Sequence, residues 1–314
     1  MFLNQKPDFY QLNPLPLKGT IGIFSPSTPV AEEKLNNGIK YLESLGYRIK
    51  TTPSCFIEND YLAGSGKERA ADLMSLIGDD SIDAIFCTRG GFGSIFMLEH
   101  LDYEAIKKSR KIIAGFSDVT ALQWAMWEKA QIVSVSAGMV GTDMSDIPIN
   151  EHFEYHFWEL INNGQLNIKL DYSRDEKKVI SGFGLPGTMS VGAMLAGTPY
   201  FPDTTNAIII LEDVDEPRHK VEAYLQQYRL GGHFDRASAV ILGKFSPAEK
   251  EQYAKVPDLD TVFNRAFSDA NPTVIRNFHY GHVPGKISLP VGLPLSVSLG
   301  VESKLETIYP LILR

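Results

Sequence analysis

Lys111-Ile-Ile-Ala-Gly-Phe-Ser-Asp-Val-Thr-Ala-Leu122 is the stretch whose reading decides the fold. Ile112 to Ala114 is a short apolar run of the kind that forms a buried strand. Gly115-Phe116-Ser117 turns the chain, and Asp118 to Trp127 reads as a helix. A strand that feeds a helix through so short a turn is the building unit of a parallel α/β sheet. The turn also holds Ser117 out from the sheet edge, beside the free N–H groups of the helix start. Two roles fit that place. Ser117 or Asp118 can be an N-cap, or Ser117 can be an acyl-transfer nucleophile whose oxyanion is held by those N–H groups. Taken alone, the stretch favours the cap, and Val119 stands where a Gly-x-Ser-x-Gly elbow has its second glycine.

Outward from it, strands and helices alternate. Gly19–Phe24, Tyr47–Thr51 and Ile82–Cys87 read as strands. Ala31–Leu45 and Gly66–Ile77 read as helices, and a further helical pattern runs to Leu101. The alternation to about residue 130 predicts an α/β fold with a doubly wound, mainly parallel sheet. Such sheets bind ligands outside the carboxyl ends of their strands. Gly90-Gly91 and Ser117 both fall at such ends, so they are expected to share one crevice. Glu151–Ile161 reads as a helix, and Asn162-Asn-Gly and Tyr172–Lys178 are polar and turn-like. Beyond them, Ala207–Leu211, Ala239–Lys244, Thr273–Phe278 and Ser296–Leu299 read as strands, with one helix at Val221–Arg229. The expected organisation is an N-terminal α/β domain over 1–145, a linker over 146–185 and a smaller β-rich domain over 186–314.

A net charge of −8 and a pI near 5.4 give no basic surface for nucleic acid or an anionic membrane. Cys55 and Cys87 cannot build a disulfide framework and lack metal-ligand spacing, which favours a reducing compartment. The N-terminus shows no signal peptide, and no run approaches the ~18 apolar residues of a spanning helix. A cytoplasmic protein is expected.

Three further stretches carry candidate chemistry. Gly90-Gly-Phe-Gly93 lets backbone N–H groups approach a ligand, as an oxyanion hole or simply as a tight turn. It is not a P-loop, since no Gly-Lys-Ser/Thr follows. Ile208–Glu216 is an apolar strand running into carboxylates, of which Glu212 lies nearest the buried strand and therefore needs a partner. No histidine cluster at ligand spacing accompanies it, so no metal is expected there. Phe278-His-Tyr-Gly-His-Val-Pro284 carries His279 and His282; the other histidines lie in helix-like or charged surroundings. Ser117, Glu212 and His282 supply a nucleophile, an orienting carboxylate and a base.

Several stretches in order now match one family. They are Gly19–Ser27, Tyr61–Leu73, Thr88-Arg-Gly-Gly-Phe-Gly93, Gly115–Leu122, Gly197-Thr-Pro199, Leu211-Glu-Asp213, Leu242-Gly-Lys-Phe245 and Gly281-His282. The chain resembles the LD-carboxypeptidases of murein recycling, serine peptidases that share a family with the microcin C immunity peptidases. The resemblance implies a flavodoxin-like N-terminal domain, a β-rich C-terminal domain and a site between them. It implies Ser117 as nucleophile, Glu212 as the orienting carboxylate and His282 as general base and acid. The oxyanion donors would be the backbone N–H groups of Gly91 and Asp118. It further implies a homodimer, no metal or organic cofactor, and a small peptide substrate, a murein tetrapeptide that loses its terminal D-alanine. Cleavage of peptidyl-nucleotide amides, as in the immunity peptidases, and mere peptide binding on the same scaffold are the alternatives. Two departures stand out: Pro186-Gly-Thr-Met189 replaces Gly-Gly-Asn-Leu, and Ser136-Ala-Gly-Met139 replaces His-Gly-Pro-Met. Both are expected to bear on the substrate pocket and neither to touch the triad.

Overall fold

The computed structural model describes residues 9–313 except 176, 249–252, 254 and 269–271. The lead-in at 1–8, read as no signal peptide, lies outside the described residues, as does residue 176 of the polar Tyr172–Lys178 segment. The first half runs β1 (Thr20–Phe24), α1 (Glu32–Ser44), β2 (Arg48–Thr51), α2 (Gly66–Gly78) and β3 (Ala84–Cys87). It continues with α3 (Tyr103–Ser109), β4 (Ile112–Gly115), α4 (Thr120–Ala130) and β5 (Ser134–Ser136). These strands are parallel in the order β5-β4-β3-β1-β2. That is flavodoxin-like winding, with the switch point between β1 and β3. Every residue of β1, β3, β4 and β5 is buried, as expected where helices cover both faces of a parallel sheet.

The second half runs α5 (Glu151–Trp158), β6 (Asn167–Leu170), β7 (Lys178–Thr188), α6 (Met189–Leu195), β8 (Ala207–Glu216) and α7 (Arg218–Leu230). Then come α8 (His233–Arg236), β9 (Ala239–Pro247), α9 (Leu259–Phe267), β10 (Thr273–Ile275), β11 (Leu289–Val291), β12 (Pro294–Leu299) and β13 (Ser303–Thr307). Seven strands form a mixed sheet, β10-β9-β8-β7-β12-β13-β6. The stretch read as a linker, 146–185, holds α5, β6 and most of β7. β11 leaves this sheet and pairs antiparallel with β5, so the C-terminal half supplies the sixth strand of the first sheet.

Helix α4 sits at the junction of the two sheets. Thr120 through Trp127 are all buried, which a helix covered on one face only could not show. Trp124 Nε1–H donates to the Pro186 carbonyl on β7 at 2.9 Å, and the Thr188 N–H donates to Thr120 Oγ at 3.0 Å. Gly184 exchanges backbone bonds with Leu293 and Gly292, at 2.8 and 2.7 Å, beside β11. The serine-bearing turn and the second sheet are thereby fixed to each other.

Two buried ionisable groups serve the frame. Lys111, 8% exposed, enters β4 and donates to the carbonyls of Leu76, Ile77 and Asp79 at 2.8, 2.8 and 2.7 Å. It therefore closes the carboxyl end of α2, whose last carbonyls have no partner within the helix. Asp213 on β8 accepts the Ser190 N–H at 2.8 Å and its Oγ–H at 3.0 Å, holding the first turn of α6. Burial first, and then the charge of Glu212 beside it, pushes the Asp213 carboxyl up to about 7.

Replacing Lys111 by Met strands those carbonyls, and urea unfolding should show a loss of about 1–3 kcal/mol. Because the folded pKa of Asp213 lies above its unfolded value near 4, its contribution to stability is complete below about pH 4. That contribution is lost as pH rises through about 7. Urea midpoints at pH 5 and pH 8 should therefore differ less in Asp213→Asn than in the parent.

Candidate active site

Ser117 stands where β4 meets α4. Phe116 is extended, Ser117 has φ +64°, and one helical turn over Ser117–Val119 leads into α4. A left-handed serine is a strained conformation that surrounding contacts must impose. The Gly-rich loop after β3 lies directly against it. A Cβ at Gly90 would fall 2.8 Å from Ser117 Cβ, 3.0 Å from its Oγ and 3.2 Å from the Asp118 nitrogen, so only glycine fits. The loop is tied down where Thr28 Oγ–H donates to the Gly90 carbonyl at 2.9 Å. The two carboxyl-end loops do share one crevice.

Glu212 and His282 reach the same place from the second sheet. His282 Nε2 lies 3.0 Å from Ser117 Oγ, and His282 Nδ1 lies 2.8 Å from Glu212 Oε2. The carboxylate accepts Nδ1–H and so leaves Nε2 free to accept the serine proton. The backbone N–H of His282 also donates to Glu212 Oε2, at 3.2 Å. Glu212 is fully buried, and its other oxygen accepts Thr188 Oγ–H at 2.5 Å.

The backbone is shaped for this contact. Between the pairs Leu211–Leu242 and Asp213–Phe245, β9 carries Gly243 and Lys244 opposite the single residue Glu212. Such a bulge redirects a strand locally. Here it turns the Lys244 N–H onto the Tyr280 carbonyl at 2.8 Å, drawing the histidine loop over Glu212. Gly281, at φ +147°, completes the approach, since a Cβ there would meet the Lys244 carbonyl at 3.0 Å.

The structure corrects one expectation and adds residues that the pattern of the sequence did not suggest. One of the two departures from the family motifs touches the triad, and the other stands two contacts behind it. Thr188 bonds Glu212 directly. Ser136 Oγ pairs with the Tyr280 hydroxyl at 2.7 Å, and Tyr280 packs edge-on against Phe116. The Phe116 and His282 ring centroids in turn lie 4.8 Å apart, and the Lys286 ammonium lies 5.0 Å from the Phe116 centroid. The Asp118 side chain is engaged as well: the carboxylate accepts Ser27 Oγ–H and the Ser94 N–H. A serine three residues after the first strand and another closing the Gly-rich loop are the available signals. His279 is exposed and packs on His152. His152 and His156 are spaced four apart on α5, but among the described residues no three ligand-type side chains have the geometry of a metal site. No helix among those residues is long and apolar enough to cross a membrane.

Comparison with known proteins places the chain. Residues 21–137 match the LD-carboxypeptidase N-terminal domain, and residues 181–297 match the LD-carboxypeptidase C-terminal domain. A putative carboxypeptidase of Streptomyces coelicolor is 30% identical over 286 residues, spanning 87% of this chain and 88% of its own. The crystal structure of a muramoyltetrapeptide carboxypeptidase from Oxalobacter formigenes has a TM-score of 0.84 at 26% identity, covering 93% of this chain and 99% of that one. The microcin C7 self-immunity protein of Escherichia coli has a TM-score of 0.85 at 22% identity, over 96% and 99%, a likeness of fold. With both domains matched in order on one chain, this protein belongs to the LD-carboxypeptidase family of serine peptidases.

Proposed function

We propose that this chain is a cytoplasmic LD-carboxypeptidase that releases terminal D-alanine from murein tetrapeptides. The observation that carries the reading is the continuous relay from Ser117 Oγ through His282 to Glu212, at 3.0 and 2.8 Å. Ser117 Oγ attacks the carbonyl carbon of the L,D-amide while His282 Nε2 takes its proton. The backbone N–H groups of Gly91 and Asp118 hold the oxyanion. Glu212 keeps the imidazole in the required tautomer and stabilises the imidazolium. The intermediate collapses as His282 gives its proton to the departing amine of D-alanine. Water, with the same histidine as base, then opens the acyl-enzyme and frees Ser117. No step calls for a metal or organic cofactor.

The substrate class is supported by the likeness to the Oxalobacter muramoyltetrapeptide carboxypeptidase. The alternative, cleavage of peptidyl-nucleotide amides, needs an aromatic platform for the base. Trp124 and Trp127 are spent in the core, at 0% and 7% exposed. Trp158 is stacked on Tyr47 at 5.4 Å and donates to the Tyr41 hydroxyl at 2.7 Å. Hydrogen-bonding distances throughout the relay count against mere peptide binding. A homodimer belongs to the same reading.

With a defined tetrapeptide and chromatographic detection of D-alanine, Ser117→Ala should lower release by at least about 10⁴-fold with the fold intact. Undiminished release would remove the mechanism. Glu212→Gln keeps the shape but misdirects the imidazole, and kcat should fall by about 10³–10⁴-fold; parent-like turnover would exclude the carboxylate from the relay.

A further inference from the structure

The nucleophile turn is held from behind by a charge arrangement that the relay does not use. The Asp118 carboxylate is 1% exposed; Oδ2 accepts Ser27 Oγ–H at 2.6 Å and the Ser94 N–H at 2.7 Å. Its main-chain carbonyl accepts Ser94 Oγ–H at 2.5 Å. Ser27 belongs to the loop after β1, and Ser94 closes the Gly90–Gly93 loop after β3. Both loops therefore hang on the residue that follows Ser117.

Arg69, on α2 and fully buried, grips the same two loops. Nη1 donates to the carbonyls of Pro26 and, at 3.0 Å, Gly93, while Nε donates to Gly64 at 3.0 Å. Burial draws the guanidinium below its usual range, and the charge of Asp118 opposes that shift. Arg69 Nη2 and Asp118 Oδ1 are each buried without a hydrogen-bond partner among the described residues. One is a donor and the other an acceptor, and the Asp118 charge acts on Arg69 through space without a hydrogen bond between them. The Asp118 charge offsets part of the cost of burying Arg69, because a buried charge alone is costly.

We propose that Arg69 and Asp118 act together as positioning residues for Ser117 and the Gly91 N–H; this rests on the serine chemistry proposed above. Two demands meet at the turn. Ser117 must be kept left-handed, and the Gly91 and Asp118 N–H groups must stay within about 2.7–3.1 Å of the developing oxyanion. The Gly-rich loop is fastened at its start by Thr28 and at its end by Asp118, through Ser94, and by Arg69. Removing the Asp118 charge leaves Arg69 without that offset, and removing either group loosens a fastening of the loop end.

The test is the rate of fluorophosphonate labelling of Ser117, which needs the nucleophile and the oxyanion hole but no peptide, alongside D-alanine release. Parent, Asp118→Asn, Arg69→Met, the double variant and Ser27→Ala are compared well below each protein's unfolding temperature. Asp118→Asn keeps its backbone N–H, yet it should label about 10–100-fold more slowly. Its kcat should fall in step, with KM within about twofold, the signature of a contact made in the transition state. The double variant should be no slower than the slower single variant, because the two act as one unit. Ser27→Ala, which leaves both charges, should show a smaller loss. An unlabelled parent protein would overturn the serine chemistry and this inference together. A labelled parent with equally fast Asp118→Asn, or single losses that multiply in the double variant, would overturn the positioning role alone. Where the charge variants do not fold, a parent-like rate in Ser27→Ala overturns it.

Discussion

A carboxylate shut off from water governs the architecture around the relay. Glu212 has no exposed surface, so each of its oxygens requires donors, and the structure has to be arranged to supply them. One oxygen takes Thr188, which stands in register with Glu212 across β7 and β8. The other takes both the backbone N–H and the ring of His282. To bring that loop so close, β9 bulges at Gly243-Lys244, and residue 281 has to be glycine. The orientation of the histidine thus follows from satisfying one buried charge. The neighbouring carboxylate meets the same difficulty by a different route: Asp213 is pushed toward its neutral form by burial and by Glu212 itself.

What could be read from the chain was whatever is local. β1, β3 and β4 are short, mainly apolar runs because both faces are covered, and the serine turn declares itself by an apolar run, a glycine and a cap-forming pair. Ser117, Glu212 and His282 could be nominated one by one as residue types in suitable places. Their convergence could not be read, since Ser117 and His282 are 165 positions apart. β7 has a weak strand signal for a definite reason. Gly182, Gly184, Pro186 and Gly187 give it a poor strand composition. Yet Pro186 is tolerated because the β12 pairing ends at Phe183, so no strand on that side asks for its missing N–H. The small elements α3, α6 and α9 were likewise unread. Their short apolar faces acquire meaning only against the partners they cover. The departure of β11 to the first sheet has no local signal at all.

The relay spans two sheets, so a 3.0 Å contact between Ser117 and His282 survives only if the sheets cannot slide. The cross-links are concentrated within a few positions of the reacting residues. Thr188 bonds both Glu212 and Thr120, at the start of the helix that follows Ser117. Phe116 lies against His282 and Tyr280, and Tyr280 bonds Ser136 on β5, which itself pairs with β11. Positions 136 and 188 are the very places where the chain departs from the family motifs. At 136 a serine hydroxyl ties β5 to the loop that carries His282, and at 188 a threonine hydroxyl holds Glu212 while its backbone N–H takes the hydroxyl of Thr120 on α4. Their identity therefore bears first on the distance between nucleophile and base, and on substrate choice only through the shape that this seam gives the crevice. A division of the chain into independent halves would lose this point. β11 of the C-terminal half bridges to the first sheet, and the chemistry belongs to neither sheet alone.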